Sequence, residues 1–244
     1  MSRGIAARAA AVPLGDIKAI SFDLDDTFWD CAPAIIAAEE ALYRWFAEET
    51  PRIAKAHSPE SLVEHRVAVG KELPHLWTDV TALRIESIRR LLQSYRYDPD
   101  IADTAFAVFY RARSNVRLYD GVVDMLDALQ KKFRLAAITN GNADLEQIGI
   151  KHYFEDIQAA SLDNPPKPDA HMFRRCLELF DLPPSALLHV GDNPETDVGG
   201  EHNAGVQTLW FNQHGDPWPD VIDEPHHVVG SIADMRSLFL EANK

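Results

Sequence analysis

The sequence predicts an α/β protein: a mostly parallel sheet, doubly wound by helices, with an all-helical segment inserted after its first strand. Three observations predict it. A short apolar run, Ile17 to Phe22, ends at Asp23-Leu24-Asp25-Asp26-Thr27, with two carboxylates at i and i+2, Asp23 and Asp25, and a threonine. The following stretch, residues 28–115, carries helical patterning and no strand-like alternation. From Leu118 onward short apolar runs alternate with amphipathic segments, the pattern of a parallel sheet.

Taken in order, Ile17 to Phe22 is the first strand. Pro33 to Glu49, Ser58 to Gly70, Val80 to Tyr95 and Pro99 to Ser114 are the inserted helices. Asp120 is placed to cap a helix whose Val122, Met125, Leu126 and Leu129 fall at i, i+3, i+4 and i+7. Arg134 to Thr139 then reads as a buried strand. Asp156 to Ser161, Leu187 to Gly191, Gln207 to Phe211 and His227 to Val229 are further strands, with helices over Asp169 to Phe180 and Ile232 to Leu240. Asn212 to Pro225, with three prolines and Gly215, reads as a surface loop. This divides the chain into an α/β core, residues 1–27 and 116–244, and an inserted helical domain, residues 28–115.

Composition narrows the classes. With 46% hydrophobic and 25% charged residues, the chain has the makings of a globular core rather than a disordered one. The formal charge of −14 opposes binding to nucleic acid or to an anionic membrane surface. No apolar run reaches the roughly 18 residues that span a bilayer. Met1 to Val12, Ala-rich with Arg3 and Arg8, reads as a frayed terminus rather than a signal peptide, so a cytoplasmic location is expected. Cys31 and Cys176 form no metal-ligating or disulfide spacing and read as buried filler. His226 and His227 are adjacent on a strand and face opposite sides, which argues against a shared metal.

Four polar clusters fall at strand ends or in the loops beside them: Asp23 with Asp25; Thr139-Asn140-Gly141; Lys167 between two prolines; and Gly191-Asp192 with Asp197. Taken singly, each also fits a polar turn or a helix cap. In an open α/β sheet, however, the crevice outside the carboxyl ends of the strands is where ligands bind, and all four converge there. An ionised Asp23 can attack phosphorus without a base. Asp25 can protonate the leaving alkoxide and later accept a proton from water. Several acids around a phosphate dianion repel it by about 4 kcal/mol per pair at 4 Å and an effective dielectric of 20. One lysine does not cancel that. A hard dication with oxygen ligands does, and Mg²⁺ suits carboxylates together with phosphate.

In order and chemistry the four clusters resemble the haloacid dehalogenase (HAD) superfamily, whose motifs are DxDxT, a Thr or Ser, a Lys, and GDxxxxD. The resemblance implies a HAD-like, Rossmann-like core with a helical cap. It implies Asp23 as nucleophile, Asp25 as acid/base and Lys167 as the catalytic cation. Thr139, the Asn140 and Gly141 amides and Lys167 would bind phosphate, and Mg²⁺ would sit on Asp23, the Asp25 carbonyl and Asp192. Asp197 is either a further ligand or a support for Lys167. Dehalogenases of the superfamily carry no acid at the second motif-one position, so Asp25 favours phosphate chemistry on a small phosphorylated metabolite.

Within the superfamily, Asp79-Val80-Thr81 with Arg84, the run Ala137 to Ala143 and Leu188 to Asp192 look like bacterial flavin-pathway phosphatases. Those act on 5-amino-6-(5-phospho-D-ribitylamino)uracil and on FMN. Pyrimidine nucleotides, phosphoglycolate and sugar phosphates are alternative substrates. A dehalogenase, a phosphomutase and a non-catalytic binding protein are alternative activities. Trp29, Trp77, Asp79, Arg84 and Arg113 are the candidates to touch substrate from the insertion; each also fits a packing or ion-pair role.

Overall fold

The computed structural model describes residues 14–199, 204–219 and 223–241. The reading of Met1 to Val12 lies outside them. Six parallel strands form one sheet: β1 (Ala19–Phe22), β2 (Arg134–Thr139), β3 (Asp156–Ala159), β4 (Leu187–Gly191), β5 (Gln207–Phe211) and β6 (His227–Val229). Their order is β3-β2-β1-β4-β5-β6. The first strand is central, flanked on one side by β2 and on the other by β4.

Between β1 and β2 lie α1 (Cys31–Glu49), α2 (Pro51–Ala56), α3 (Pro59–Glu72), α4 (Val80–Ser94), α5 (Ala102–Arg113) and α6 (Val122–Leu129). Then α7 (Leu145–Ile148), α8 (His171–Phe180) and α9 (Ile232–Glu241) complete the helices among the described residues.

Both sheet faces are covered. Ile20, Phe22, Leu135, Leu188 and Val190 pack with Val122, Met125, Leu126 and Leu129 of α6 and with Met235 and Phe239 of α9. The alternate residues Ala19, Ala136, Ile138 and Leu187 meet Met172, Phe173, Cys176 and Phe180 of α8. Period-two alternation with apolar residues on both faces is what an α/β sheet requires. The helices α1, α2, α4 and α5 bury their own cluster, with Ala38, Leu42 and Phe46 on one stripe of α1 facing Ile88, Leu92 and Phe109.

Local departures from the sequence reading have physical causes. Pro51 at the first position of α2 starts a short helix that the apolar pattern did not announce. Asp120 does not cap α6. The cap position is Gly121, held at φ 88° with no side-chain bond, and the Asp120 side chain is exposed. Cys31 is half-buried rather than buried, whereas Cys176 is buried; burial pushes both thiols up to about 12.

Candidate active site

Each of the four clusters sits where the strands end. The Asp23 amide donates to the Val190 carbonyl at 2.8 Å, which ties the first acid to the end of β4. Beyond it the chain turns: Asp26 adopts φ 59°, and its Oδ1 accepts the Cys31 amide at 2.9 Å, so it supports the start of α1 as a local cap. The buried Thr27 hydroxyl donates to Asp192 Oδ1 at 3.3 Å.

Lys167 lies in the loop between β3 and α8, and its backbone is bolted in place by Asn140. The Asn140 amide donates to the Lys167 carbonyl at 2.9 Å and accepts the Lys167 N–H at 2.8 Å. Its ammonium then reaches Asp23 Oδ1 and Asp197 Oδ1, at 2.6 Å each. Asp197 stands on a single π-helical turn, Pro194–Val198, capped by the Asn193 side chain. It can fold back over the end of β4 only because residue 191 is glycine. A Cβ at Gly191 would lie 2.5 Å from the Asp197 Cβ.

Sequence reasoning passed over a polar pair beneath this cluster. In register on β1 and β4, the fully buried Ser21 and His189 are hydrogen-bonded at 2.8 Å, and His189 Nε2 lies 3.6 Å from Asp197 Oδ1. The signal was two polar residues in otherwise apolar, doubly covered strands. Burial pushes the His189 imidazole down to about 4, which keeps it neutral at pH 7.

The electrostatics show a surplus of negative charge. Burial raises Asp23 well above the ordinary carboxylate range; Lys167 opposes this, while Asp197 and Asp192 add to it. Burial, then Asp197 and Asp26, push Asp192 up to about 7. Asp197 goes the other way: burial disfavours its charge, but Lys167 and His189 outweigh burial and hold it ionised. Lys167 is raised because its two carboxylates outweigh its own burial.

Asp23, Asp192 and Asp197 each offer an oxygen within 4.8 Å of the others. Three carboxylates against one lysine fit a hard divalent cation. Asp197 has both oxygens engaged, Oδ1 by Lys167 and Oδ2 by the Asn193 amide at 2.9 Å.

Thr139 is buried at the end of β2, and its Oγ1 accepts the Gly141 N–H at 2.9 Å. That amide, expected to face phosphate, is therefore occupied within its own loop. Of the five residues expected to reach substrate from the insertion, four are engaged elsewhere. Trp29 is fully buried among Phe22, Phe28 and the rest of the core, with Nε1 donating to Asp25 Oδ1 at 2.8 Å. Asp79 caps α4 by accepting the Ala82 amide at 2.8 Å. Arg84 pairs with Glu39 at 2.9 Å and lies 3.4 Å from the Phe109 ring centroid. Arg113 is buried against Asp25 and Asn142. Trp77 keeps an exposed ring, in the turn before α4. The Thr81 hydroxyl of α4 accepts from Asn142 at 2.9 Å, which joins that helix to the loop after β2.

Comparison with known proteins agrees with this geometry. Residues 17–205 match the profile of the haloacid dehalogenase-like hydrolases. The chain is 33% identical to the 5-amino-6-(5-phospho-D-ribitylamino)uracil phosphatase of Escherichia coli (strain K12), over 93% of this chain and 98% of that one. It is 27% identical to the N-acylneuraminate-9-phosphatase of Rattus norvegicus, over 93% and 95%. Among solved structures, a 2-haloacid dehalogenase from Pseudomonas syringae pv. Tomato DC3000 superposes with a TM-score of 0.85 at 35% identity, covering 92% of this chain and 99% of that one. With four clusters meeting at the strand ends and that profile spanning most of its length, the chain belongs to the haloacid dehalogenase-like hydrolases.

Proposed function

We propose that the protein is a Mg²⁺-dependent phosphomonoesterase acting through an aspartyl-phosphate on a small phosphorylated metabolite, with 5-amino-6-(5-phospho-D-ribitylamino)uracil or FMN as the favoured substrates. The single observation that carries this reading is the buried contact of Lys167 with both Asp23 and Asp197 beside Asp192, with the acid Asp25 two residues after Asp23.

Asp23 is the nucleophile: its oxygen bonds to phosphorus as the bond to the leaving oxygen breaks. Asp25 gives its proton to that oxygen. It then takes a proton from the water whose oxygen bonds to phosphorus as the Asp23–phosphorus bond breaks. Lys167 offsets the charge of the nucleophile and of the phosphoryl oxygens in a loose transition state. Thr139 and the amides of Asn140 and Gly141 are the phosphate donors, Gly141 by turning from its bond to Thr139. Asp23, the Asp25 carbonyl and Asp192 would hold Mg²⁺, which neutralises the acid cluster so that an anionic substrate can enter. The helical insertion acts as a cap that selects the leaving group and excludes water.

The similarity to a 2-haloacid dehalogenase keeps carbon chemistry in the test. Phosphate release is measured from FMN, the ribitylaminouracil phosphate, nucleoside monophosphates, sugar phosphates and phosphoglycolate, with Mg²⁺ and with chelator. Halide release from 2-haloacids and isomer formation are followed beside it. The expected result is Mg²⁺-dependent phosphate release with the highest kcat/KM on a flavin-pathway substrate, lost in Asp23→Asn. Retained turnover in that variant, or halide release as the main reaction, rejects the proposal.

A further inference from the structure

The Asp25 carboxylate is held at both oxygens by residues that bracket the helical insertion. Trp29, two residues ahead of α1, donates Nε1–H to Oδ1 at 2.8 Å. Arg113, the last residue of α5, donates Nη2–H to Oδ2. These are the two places where the chain leaves the sheet and returns to it. Trp29 also bridges Asp25 on one side and Leu118 on the other, so the outgoing and returning strands of chain are stitched together at the acid.

Neither partner is free to follow a moving carboxylate. The Trp29 indole is fully buried in the core, and the Arg113 side chain is 2% exposed. Arg113 is also fixed by Nε, which donates to Asn142 Oδ1 at 3.1 Å, and by Gly141. A Cβ at Gly141 would stand 3.0 Å from Arg113 Nη2 and still closer to Asp25 Oδ2. The Arg113 Nη1, equally buried, meets no acceptor among the described residues. A buried guanidinium with one arm unmatched costs free energy, so fold stability alone is a weak reason for its place. A carboxylate has about four lone-pair directions, and the two donors take one at each oxygen. The directions left over for a proton and for a substrate oxygen are thereby set.

We infer that Arg113, with Trp29, is a positioning residue for proton transfer by Asp25, so that the geometry of the acid depends on the two connections of the insertion. This rests on the phosphomonoesterase reading above. In the step concerned, the bond from phosphorus to the leaving oxygen breaks and that oxygen takes the Asp25 proton. A leaving group that departs as a stable anion needs no such proton.

The test is leaving-group dependence. Arg113→Met keeps an unbranched chain and removes the donors; Arg113→Lys restores one; Trp29→Phe keeps a buried ring and removes the N–H. For each, kcat/KM, which covers the steps through departure of the leaving group, is compared on an alkyl phosphomonoester and on p-nitrophenyl phosphate. Arg113→Met is expected to lose about a hundredfold on the alkyl ester and under about tenfold on p-nitrophenyl phosphate, the scale of general-acid assistance. The loss is expected in kcat rather than KM, with partial recovery in Arg113→Lys and the same preference, smaller, in Trp29→Phe. Equal losses on both esters, or a loss confined to KM, overturn the inference. Asp25→Asn serves as the reference. If it shows the preference and neither Arg113→Met nor Trp29→Phe does, the positioning role falls while the phosphatase reading stands. If Asp25→Asn itself shows none, the acid role falls and the inference with it.

Discussion

Two triads of charge stand among the described residues with opposite signs, one buried and one partly buried. At the strand ends, Lys167 is shared by Asp23 and Asp197 at 2.6 Å each, with Asp192 beside them. Within the helical insertion, Glu39 is shared by Arg66 at 2.6 Å and Arg84 at 2.9 Å. Each carries a surplus, and the surplus shows in its members: burial pushes Asp192 up to about 7, and burial with Arg66 pushes Arg84 down to about 10. The surroundings differ. Arg84 rests on the Phe109 ring, which supplies electron density and closes the cluster. Among the described residues the surplus acid at the strand ends, Asp192, pairs with no cation and accepts from the Thr27 hydroxyl at 3.3 Å. The triad in the insertion completes itself from the chain, whereas the one at the strand ends keeps a surplus of negative charge, which on the proposed function is left for a cation and a substrate.

The strongest way to break the contrast is to remove the shared ion from each triad. Lys167→Met is expected to lower kcat/KM about a thousandfold, the cost of deleting a preorganised charge from a site. It leaves three neighbouring acids, so Mg²⁺ should raise its melting temperature more than it raises that of the parent protein. Thermal denaturation with and without Mg²⁺ measures this. Equal Mg²⁺ stabilisation of both would show that the acids are not the cation site.

Glu39→Gln should act on folding instead. It leaves Arg84 buried without its carboxylate, at a cost of about 2 kcal/mol, below the range for fully buried pairs because all three side chains keep some exposure. Denaturant midpoints measure it, and Mg²⁺ should not rescue it. Turnover of the folded fraction should stay within about threefold of the parent, since none of these side chains touches the acids at the strand ends.

What the sequence made legible follows from range. The strand ends were readable because apolar runs stop abruptly at Asp23, Thr139 and Gly191-Asp192, and a doubly wound sheet sends such ends to one crevice. The partners that fix those residues were not. Arg113 meets Asp25 across 88 positions and Asn140 holds Lys167 across 27, and no local pattern encodes either. Trp29 read as a substrate contact because an aromatic after a catalytic motif has two plausible destinations, and only packing against Phe22 and Phe28 decides for the core. Ser21 and His189 left a trace, polarity inside buried strands, but their pairing depends on the β1–β4 register, which the sequence does not state.

The metal-free site also responds to pH in a direction the contrast sharpens. Asp192 titrates near 7 in the folded protein against an ordinary value of 3.8. Between those values the folded state keeps a proton that the unfolded state has released. The metal-free protein should therefore lose stability as pH rises from about 4 to about 7 and level off above that. Cation and proton compete for the same oxygen, so the apparent Mg²⁺ affinity should rise up to about tenfold per pH unit over this window for each proton displaced. Calorimetric titration at pH 5.5, 6.5 and 7.5 measures it. An affinity flat across these values removes Asp192 from the cation site.

The smallest effect concerns the one candidate from the insertion that keeps an open face. Trp77 is 49% exposed, and its ring lies so close over residue 70 that a Cβ there would stand 2.6 Å from it. Gly70 and the turn before α4 therefore fix the ring's orientation, and α4 is joined to the loop after β2 through Thr81 and Asn142. If that ring stacks on a flat substrate, Trp77→Ala forfeits about 1 kcal/mol, some fivefold in KM for FMN. Phosphoglycolate, which has no ring to stack, should be unaffected. Gly70→Ala should mimic the loss by forcing the indole aside without removing it. A change that is equal on both substrates would place Trp77 among the residues that only pack.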